Sequence, residues 1–284
     1  MSGPTAYTDL YIYYLEGRPR PENQIFNEKF IGNWQEDNFS FLFFSEPSAA
    51  EVEKLLLLQP QLMLLDEFHF TYEEWHGGKF APFNVGRFLI APPWEEIEVH
   101  NDEWLLFIDP GVVFGTGMHP TTHDCLEALE LAFYRGGFET VLDLGTGSGL
   151  LAIAAARLGC SRVLAVDLNF LAAKTAMKNV RFNGMADRVG VVQGKAEDFI
   201  NGPADLVIAN IHYDIMKHLI NSENLFNKKK FIFSGLLRSE ARKITDRLSR
   251  YPVKIVKAWV HDGIWHTFFG ELLPIVHPEM RILV

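Results

Sequence analysis

The residues of this sequence best placed to do chemistry begin with three glycines at alternate positions, Gly145, Gly147 and Gly149. They follow a short apolar run at 141–144 and precede an alanine-rich stretch with helical spacing, which predicts a strand, a tight turn and a helix. Glycine accepts backbone angles that a Cβ forbids, and a bare backbone lets a ligand approach the N-terminus of the following helix. A second apolar run ends at Asp167, roughly twenty residues further on, where nucleotide-binding folds place the carboxylate that holds ribose hydroxyls. The stretch therefore predicts a pocket for an adenosine-like ligand.

The glycine spacing distinguishes between two adenosine-containing cofactors. A dinucleotide site has the pattern G-x-G-x-x-G, with its third glycine beside the pyrophosphate. Here the order is G-x-G-x-G, and Leu150 occupies the next position. This favours S-adenosyl-L-methionine over NAD. The alternative is a tight strand-to-helix turn that binds no ligand. This alternative is less favoured, because the strand, the helix and the acid all stand at the spacing of a nucleotide site.

Other acids follow predicted strands at the same edge of the sheet. Ligands of open parallel sheets bind outside the carboxyl ends of the strands. Asp143, just before the glycines, is expected either to fix the loop or to meet the amino group of the ligand. Glu197 or Asp198 is expected to accept a hydrogen bond from an adenine amino group, or else to begin a solvated helix. Asp167 is the strongest of these four candidates for contact with the cofactor.

Asn210, Ile211 and His212 form the candidate site for an amine. Asn210 ends an apolar strand, where an uncharged amide has no packing reason to lie. Methyl transfer to a neutral nitrogen is an in-line displacement in which positioning is the main contribution. The side-chain carbonyl of Asn210 and neighbouring backbone carbonyls can hold the amine hydrogens so that the lone pair faces the methyl group. Asn210 as the cap of the next helix is the alternative.

The segment PGVVFGTGMHPTT at 110–122 is a second candidate for ligand binding. Its glycines give mobility, Phe114 and His119 give aromatic surface, and Thr121 and Thr122 give hydroxyls. Loops with such a mixture often carry function because a scaffold positions them while they move. An ordinary glycine-rich connection with a threonine cap on the following helix is the alternative.

The predicted strands and helices alternate after residue 140, and this alternation predicts the sheet that must position the candidate site residues. Such alternation implies an α/β fold with a doubly wound, mostly parallel sheet and right-handed crossovers. The pair Asp262 and Gly263 between the last two strands is a hairpin signal, so one terminal strand is expected to be antiparallel. The predicted strands are 140–144, 162–167, 189–193, 204–210, 230–234, 253–260 and 264–272, and the predicted helices are 148–158, 169–183, 213–221 and 238–249.

The N-terminal third predicts a small α+β domain. A helix at 45–59 is expected to be capped by Ser48, with Glu51 three positions on. Prolines and acids cluster at 92–101, so the domains are predicted as 1–95, for substrate recognition with a linker, and 96–284, for the cofactor. The predicted strands of the first domain are 9–15, 41–44, 62–65 and 68–72.

Composition narrows the class of protein further. The chain has 26 Lys and Arg and 36 Asp and Glu, a net charge of −10, which argues against binding along a nucleic-acid backbone and suits a basic substrate. The two cysteines, Cys125 and Cys160, have neither metal-ligand spacing nor a disulfide framework, so no metal site is expected. No signal pattern or membrane-spanning apolar run is evident, and we expect a cytoplasmic protein.

With these motifs in place, the chain resembles the methyltransferases that modify bacterial ribosomal protein L11. The similarity covers about residues 72–272 and is carried by FGTGMHPTTHDCLEAL, DLGTGSGLLAIAAARLG, AVDLN, KNVRFNG, IANI, FSGLLRSEA and IWHTFFG, in that order. The resemblance implies a Rossmann-like sheet and S-adenosyl-L-methionine contacted at Thr122, Gly145, Asp167 and Asn210, with the loop from Phe114 to His119 closing over it. It also implies repeated N-methylation of the N-terminal α-amine and lysines of L11.

The sequence departs from this family pattern in two places. Residues 1–40 lack a clear first helix, and His212 and Tyr213 stand where small or apolar residues usually follow the Asn-Ile pair. His212 is expected either to act as a base, to narrow the pocket, or simply to begin a helix. The substrate is therefore left open between L11, another basic protein and a small molecule. Two further alternatives are a nicotinamide-dependent oxidoreductase and a non-catalytic scaffold that binds the cofactor.

Overall fold

The computed structural model describes residues 8–20 and 27–273, which form two compact units. The first consists of the residues up to Pro82 together with Ala91–Glu98 and Asn169–Leu171. The second consists of Phe83–Ile90, Val99–Leu168 and the residues from Ala172 onward. Residues 1–7 and 21–26 of the predicted first domain lie outside the described residues, and the boundary after residue 95 stays a prediction.

The first unit is an antiparallel sheet with a helix on one face. Strand β1 lies in the interior of the order β2-β3-β1-β4 because it pairs with both β3 and β4. Alternate side chains of the sheet, such as Leu42 and Phe44, pack with Val52 and Leu55 of the helix in a buried core. The elements are β1 (Asp9–Glu16), β2 (Phe30–Glu36), β3 (Phe39–Phe44), α1 (Ala49–Leu58), β4 (Met63–Thr71) and the short α2 (Tyr72–Trp75).

Two expectations for this unit are corrected, and one further strand is found. Ser48 precedes α1 but makes no capping hydrogen bond, because its hydroxyl donates instead to the carbonyl of Glu46. The two strands predicted at 62–65 and 68–72 are one strand, since polar residues between them face solvent on an edge strand. Strand β2 was not predicted, because its mixed sequence FIGNWQE lacks regular alternation.

The chain between β4 and β8 contributes a three-stranded sheet of order β5-β6-β7. Its strands are β5 (Phe83–Val85), β6 (Phe88–Ala91) and β7 (Trp104–Phe107). All four residues of β6 are buried, which explains why its sequence FLIA is continuously apolar. Strand β7 leads directly into the candidate loop at 110–119.

The second unit contains the predicted seven-stranded sheet, in the order β10-β9-β8-β11-β12-β14-β13. Strands β8 to β12 are parallel, and β14 is antiparallel to both β12 and β13, so the predicted fold class is confirmed. The hairpin turn between β13 and β14 holds Asp262 and Gly263 at φ of 53° and 67°, as the sequence pair predicted. The strands are β8 (Thr140–Leu144), β9 (Arg162–Asp167), β10 (Val189–Gln193), β11 (Leu206–Asn210), β12 (Lys230–Leu237), β13 (Val253–His261) and β14 (Trp265–Leu272).

Helices cover the large sheet on its faces. Residues of α6, α7 and α8 join Leu142 and Leu144 of β8 in one buried core. Because side chains alternate along a strand, Asp143 points to the opposite face. The helices are α3 (Pro120–Tyr134), α4 (Leu150–Arg157), α5 (Phe170–Phe182), α6 (Ala196–Phe199), α7 (Tyr213–Leu219) and α8 (Arg238–Leu248).

Both cysteines are buried free thiols, and burial raises the pKa of Cys160 to about 11. Within residues 8–20 and 27–273, no helix combines the length and apolar composition needed to cross a membrane.

Candidate active site

The candidate site lies where the strand order of the large sheet reverses. The chain runs from β8 to β9 and β10 on one side and then returns to β11 on the other. Leu144 at the end of β8 is paired with Val166 on one side and with Ala209 on the other. Gly145, Asp167 and Asn210 therefore each follow one of three adjacent strand residues. This is the position at which open α/β sheets bind their ligands.

The glycine turn is fixed by the fold itself. The N–H groups of Gly145 and Thr146 both donate to the carbonyl of Val166, at 2.8 and 3.0 Å. Gly147 has φ of 56°, and a Cβ there would lie 2.5 Å from the backbone oxygen of Phe114. A Cβ on Gly145 would lie 2.8 Å from Cδ1 of Ile211. These glycines are thus required by close contacts within the chain, as well as by any ligand that approaches the turn.

Asp167 is in direct contact with this turn. Its Oδ2 accepts a hydrogen bond of 2.9 Å from the N–H of Gly147. The carbonyl of Asp167 accepts another, of 2.9 Å, from the N–H of Gly194 at the end of β10. The turn and the carboxylate are therefore close enough to contact one molecule. Glu197 follows β10 and lies half-buried in the first turn of α6.

Asp143 lies beneath the turn and is almost fully buried, with 1% of its surface exposed. Its Oδ2 accepts a hydrogen bond of 2.6 Å from the hydroxyl of Thr146, so it fixes the loop as expected. Its Oδ1 meets no hydrogen-bond donor among the described residues. Burial raises the pKa of Asp143 to about 7, although the Thr146 bond opposes this and the charge of Asp167 adds to it.

Asn210 is held by two hydroxyls of α3. Its Nδ2 donates to Oγ1 of Thr121 and of Thr122, both at 3.3 Å. Its Oδ1 lies on the other side, where a Cβ built on Gly235 would be 3.0 Å away. The same Cβ would lie 3.2 Å from the backbone oxygen of Ile211. Two carbonyl oxygens, Oδ1 of Asn210 and the backbone oxygen of Ile211, therefore both lie close to Gly235, and an amine with two hydrogens needs two such acceptors.

His119 fixes this orientation of Asn210. The Nδ1 of His119 accepts from the N–H of Thr121 at 3.3 Å, so the Thr121 hydroxyl, 2.8 Å away, donates to the same nitrogen. The oxygen of Thr121 is then left to accept from the amide nitrogen of Asn210. Burial, and secondarily the charge of His261, lower the pKa of His119 and favour this neutral form. His119 also caps α3, so the threonine cap of the alternative reading is wrong.

The residue that caps α7 is His212 rather than Asn210, so the alternative reading of Asn210 as a helix cap is wrong. The Nδ1 of His212 accepts from the N–H of Asp214 at 3.4 Å. Its side chain is 77% exposed. These contacts are those of a residue that begins a helix.

The loop at 110–119 is bonded to the glycine turn through Ser148. The N–H of Ser148 donates to the carbonyl of Phe114 at 3.0 Å, and its hydroxyl donates to that of Gly115 at 2.6 Å. The ring of Phe114 packs edge-on against His119, which packs in the same way against Trp265. The structure thus brings the aromatic part of the loop to the same end of the sheet as the turn.

Two residues of the site were missed from the sequence. Asn179 of α5 is fully buried and bonds the backbone of Asp109 and the carbonyl of Ser148, so it joins the start of the loop to the turn. Gly235 interrupts the pairing of β12, where the register with β14 shifts. Both lie in segments that carry the family resemblance, KNVRFNG and FSGLLRSEA. Asn179 could have been noticed in the sequence, because it is an amide side chain in the interior of a predicted helix.

The residues of the turn fit the predicted nucleoside cofactor. The glycines of the turn leave bare backbone before α4, Asp167 supplies a carboxylate beside it, and Asp143 has a buried oxygen without a donor among the described residues. In the described part of the chain, no group of three or more His, Cys, Asp or Glu side chains is arranged to hold a metal ion.

Comparisons of the sequence with a family model and with curated proteins indicate the same family. The family model described as ribosomal protein L11 methyltransferase (PrmA) matches residues 44–271. The chain is 41% identical over 187 residues to the ribosomal protein L11 methyltransferase of Desulfitobacterium hafniense, covering 65% of this chain and 59% of that protein. It is 36% identical over 196 residues to that of Clostridium perfringens, covering 68% and 61%. The matches thus span less than two thirds of these curated relatives.

A solved structure is similar over much of the chain. The crystal structure of the ribosomal protein L11 methylase from Lactobacillus delbrueckii subsp. bulgaricus superposes with a TM-score of 0.59 at 31% identity. The match covers 68% of this chain and 98% of that one.

Proposed function

Because the chain belongs to the ribosomal protein L11 methyltransferase family, we propose that it transfers methyl groups from S-adenosyl-L-methionine to amino groups of a protein. The observation that carries this proposal is the convergence of three features at adjacent strand ends. These are the glycine turn after β8, the carboxylate of Asp167 after β9 and the carbonyl group of Asn210 after β11.

The cofactor would be held mainly by the turn and by two acids. Gly145, Gly147 and Gly149 bring backbone close to it, Asp167 accepts from the ribose hydroxyls and Glu197 from the adenine amino group. When bound, the cofactor supplies an electrophilic methyl group on a sulfonium. Thr122 and Phe114 would border the site from α3 and the loop, and the bonds of Ser148 would hold this loop beside the turn.

Asn210 and Ile211 would position the amine. The Oδ1 of Asn210 and the backbone oxygen of Ile211 both lie close to Gly235, and each would accept one N–H of a neutral amine. With both hydrogens held, the nitrogen lone pair is directed away from these oxygens and toward the methyl group. Positioning of this kind can supply several kcal/mol of the barrier reduction, on the order of 7–11 kcal/mol in the most favourable cases.

Ribosomal protein L11 is the proposed substrate, because the curated relatives carry its name. The net charge of −10 favours a basic protein, and acidic residues outnumber basic ones in the first 98 positions. The proposed N-terminal domain, 1–95, would then attract the substrate while the second domain transfers the methyl group.

The test is incubation of the purified protein with isotopically labelled S-adenosyl-L-methionine and purified L11, followed by mass spectrometry of the product. We expect label on amino groups of L11. Label on a different protein of a bacterial lysate, with none on L11, would overturn the substrate. Cofactor binding without label on any protein would overturn the enzymatic proposal in favour of a scaffold, and binding of NAD alone would overturn the cofactor.

A further inference from the structure

The carboxyl group of Asp143 is buried in a way that its role as a loop anchor does not explain. One oxygen suffices for the bond to Thr146. The other, Oδ1, is buried and accepts no hydrogen bond from the described residues. An ionised carboxylate with an unpartnered buried oxygen is costly, so an additional group or a proton is needed at this position.

No cation among the described residues faces Asp143. In the sheet it is paired with Ala165 and Ile208, which are apolar. The charge of Asp167 acts on it from the end of the neighbouring strand. Cys125 of α3 is a buried thiol whose pKa is raised mainly by burial and, to a smaller degree, by the charges of Asp124 and Asp143. The N–H of Ala152 in the first turn of α4 favours the ionised form, but without a bond to Oδ1. Burial and the like charge of Asp167, which disfavour the ionised form of Asp143, therefore outweigh the dipoles of the Thr146 hydroxyl and the Ala152 N–H, which favour it.

We propose that Asp143 is protonated in much of the ligand-free protein near neutral pH and releases this proton when the cofactor binds. The inference rests on the proposed use of S-adenosyl-L-methionine, whose α-ammonium group is the cation that the site otherwise lacks. The carboxylic acid gives its proton to the solvent, and the carboxylate that remains accepts an N–H of the ammonium group. Cofactor affinity is therefore coupled to pH.

The pKa of Asp143, raised to about 7 by burial, agrees with this geometry. Below that pH, each binding event must first remove the proton, so the affinity falls as the pH falls. If only the ionised form binds, the dissociation constant at pH 6 is about tenfold higher than at pH 8. At pH 7 about half a proton is released for each cofactor bound.

Isothermal titration calorimetry with S-adenosylhomocysteine tests the proposal. Titrations at pH 7 in two buffers of different ionisation enthalpy give the number of protons released, and titrations from pH 6 to 8 give the affinity. We expect release of about half a proton and the tenfold change. An α-amine that binds as ammonium takes up a proton, which is the opposite sign, so the titration of the ligand itself cannot imitate the result.

The variant Asp143→Asn keeps the shape and removes the titration. It should bind more weakly at pH 8, and the weakening of binding between pH 8 and pH 6 should be lost. Asp246→Asn, on the exposed surface of α8, should retain the wild-type pH dependence. Binding without proton release by the wild-type protein would overturn the inference, even if the variant failed to fold. Absence of binding at every pH would instead overturn the proposed function.

Discussion

The backbone N–H of Gly147 donates a hydrogen bond of 2.9 Å to Oδ2 of Asp167. The proposed ribose-binding carboxylate is thus also a support for the glycine turn, since the same group orients the loop that would contact the rest of the cofactor. This double role has consequences for how variants at Asp167 should be interpreted.

Asp167→Ala should weaken cofactor binding by roughly 2–4 kcal/mol, because it removes two hydrogen bonds to a charged acceptor. Asp167→Asn should weaken it less, since an amide oxygen can still accept from Gly147. Calorimetry with S-adenosylhomocysteine measures both effects, and Asp246→Ala on α8 serves as the exposed control. Wild-type affinity in Asp167→Ala would reject the assignment of Asp167.

Asn210→Ala should lower the rate of methylation at least tenfold, about 1.4 kcal/mol of barrier, while leaving cofactor affinity mostly intact. The reason is that Oδ1 of Asn210 is one of the two proposed acceptors of the amine hydrogens beside Gly235. Single-turnover methylation of L11 measures the rate. Asn221→Ala, at an exposed position after α7, is the matched control, and a rate equal to that of the control would place the amine elsewhere.

Gly235→Ala should also abolish most of the methylation while cofactor binding persists. The added Cβ would lie 3.0 Å from Oδ1 of Asn210 and 3.2 Å from the oxygen of Ile211, so it would crowd both of the proposed amine acceptors. The φ of 78° at Gly235 adds backbone strain of about 1–2 kcal/mol.

Gly184→Ala separates these two effects. Gly184 has a similar φ of 64°, but a Cβ there has no neighbour within 4 Å. It should lose stability and keep its activity once folded. Equal losses of activity in the two variants would show that strain alone explains Gly235.

Ser148→Ala should loosen the loop at 110–119. It removes the hydrogen bond of 2.6 Å to Gly115, which contributes about 1 kcal/mol. We expect faster amide hydrogen exchange in this loop and weaker cofactor binding. Ser249→Ala provides the control, because that hydroxyl bonds only within its own helix end. Unchanged exchange in the loop would mean that the backbone bond from Ser148 to Phe114 suffices to hold it.

The free energy of unfolding of the ligand-free protein should depend on pH because of the titration of Asp143. Its pKa is raised from 3.8 to about 7 in the folded state, so ionisation costs stability. This cost is absent below pH 4, grows as the pH rises toward 7 and reaches at most about 4 kcal/mol above that.

Asp143→Asn should therefore be more stable than the wild type at pH 8 and show little of this gain at pH 4. Chemical denaturation at the two pH values measures the difference. A variant that is less stable than the wild type at pH 8 would show that contacts other than the bond from Thr146 compensate the ionised carboxylate.

Much of the fold could be predicted from local patterns. The alternation after residue 140 specified the seven strands to within a few residues, because parallel buried strands are apolar runs separated by helices of distinct periodicity. The pair Asp262 and Gly263 specified the hairpin, since the turn needs positive φ at both positions. The mixed strand β2 and the true contacts of Ser48 could not be predicted, because pairing partners and competing acceptors decide them.

The sequence by itself determined the types of residue at the ends of β8, β9 and β11, and through them the family and the expected cofactor. Only the tertiary structure decided how these residues act. It made His119 and not a threonine the cap of α3, directed the amide of Asn210 by way of Thr121, and left an oxygen of Asp143 buried without a donor. The physical reason is that hydrogen-bond direction and desolvation depend on neighbours that are distant in the chain, whereas strand and turn propensities depend on residues that are adjacent in it.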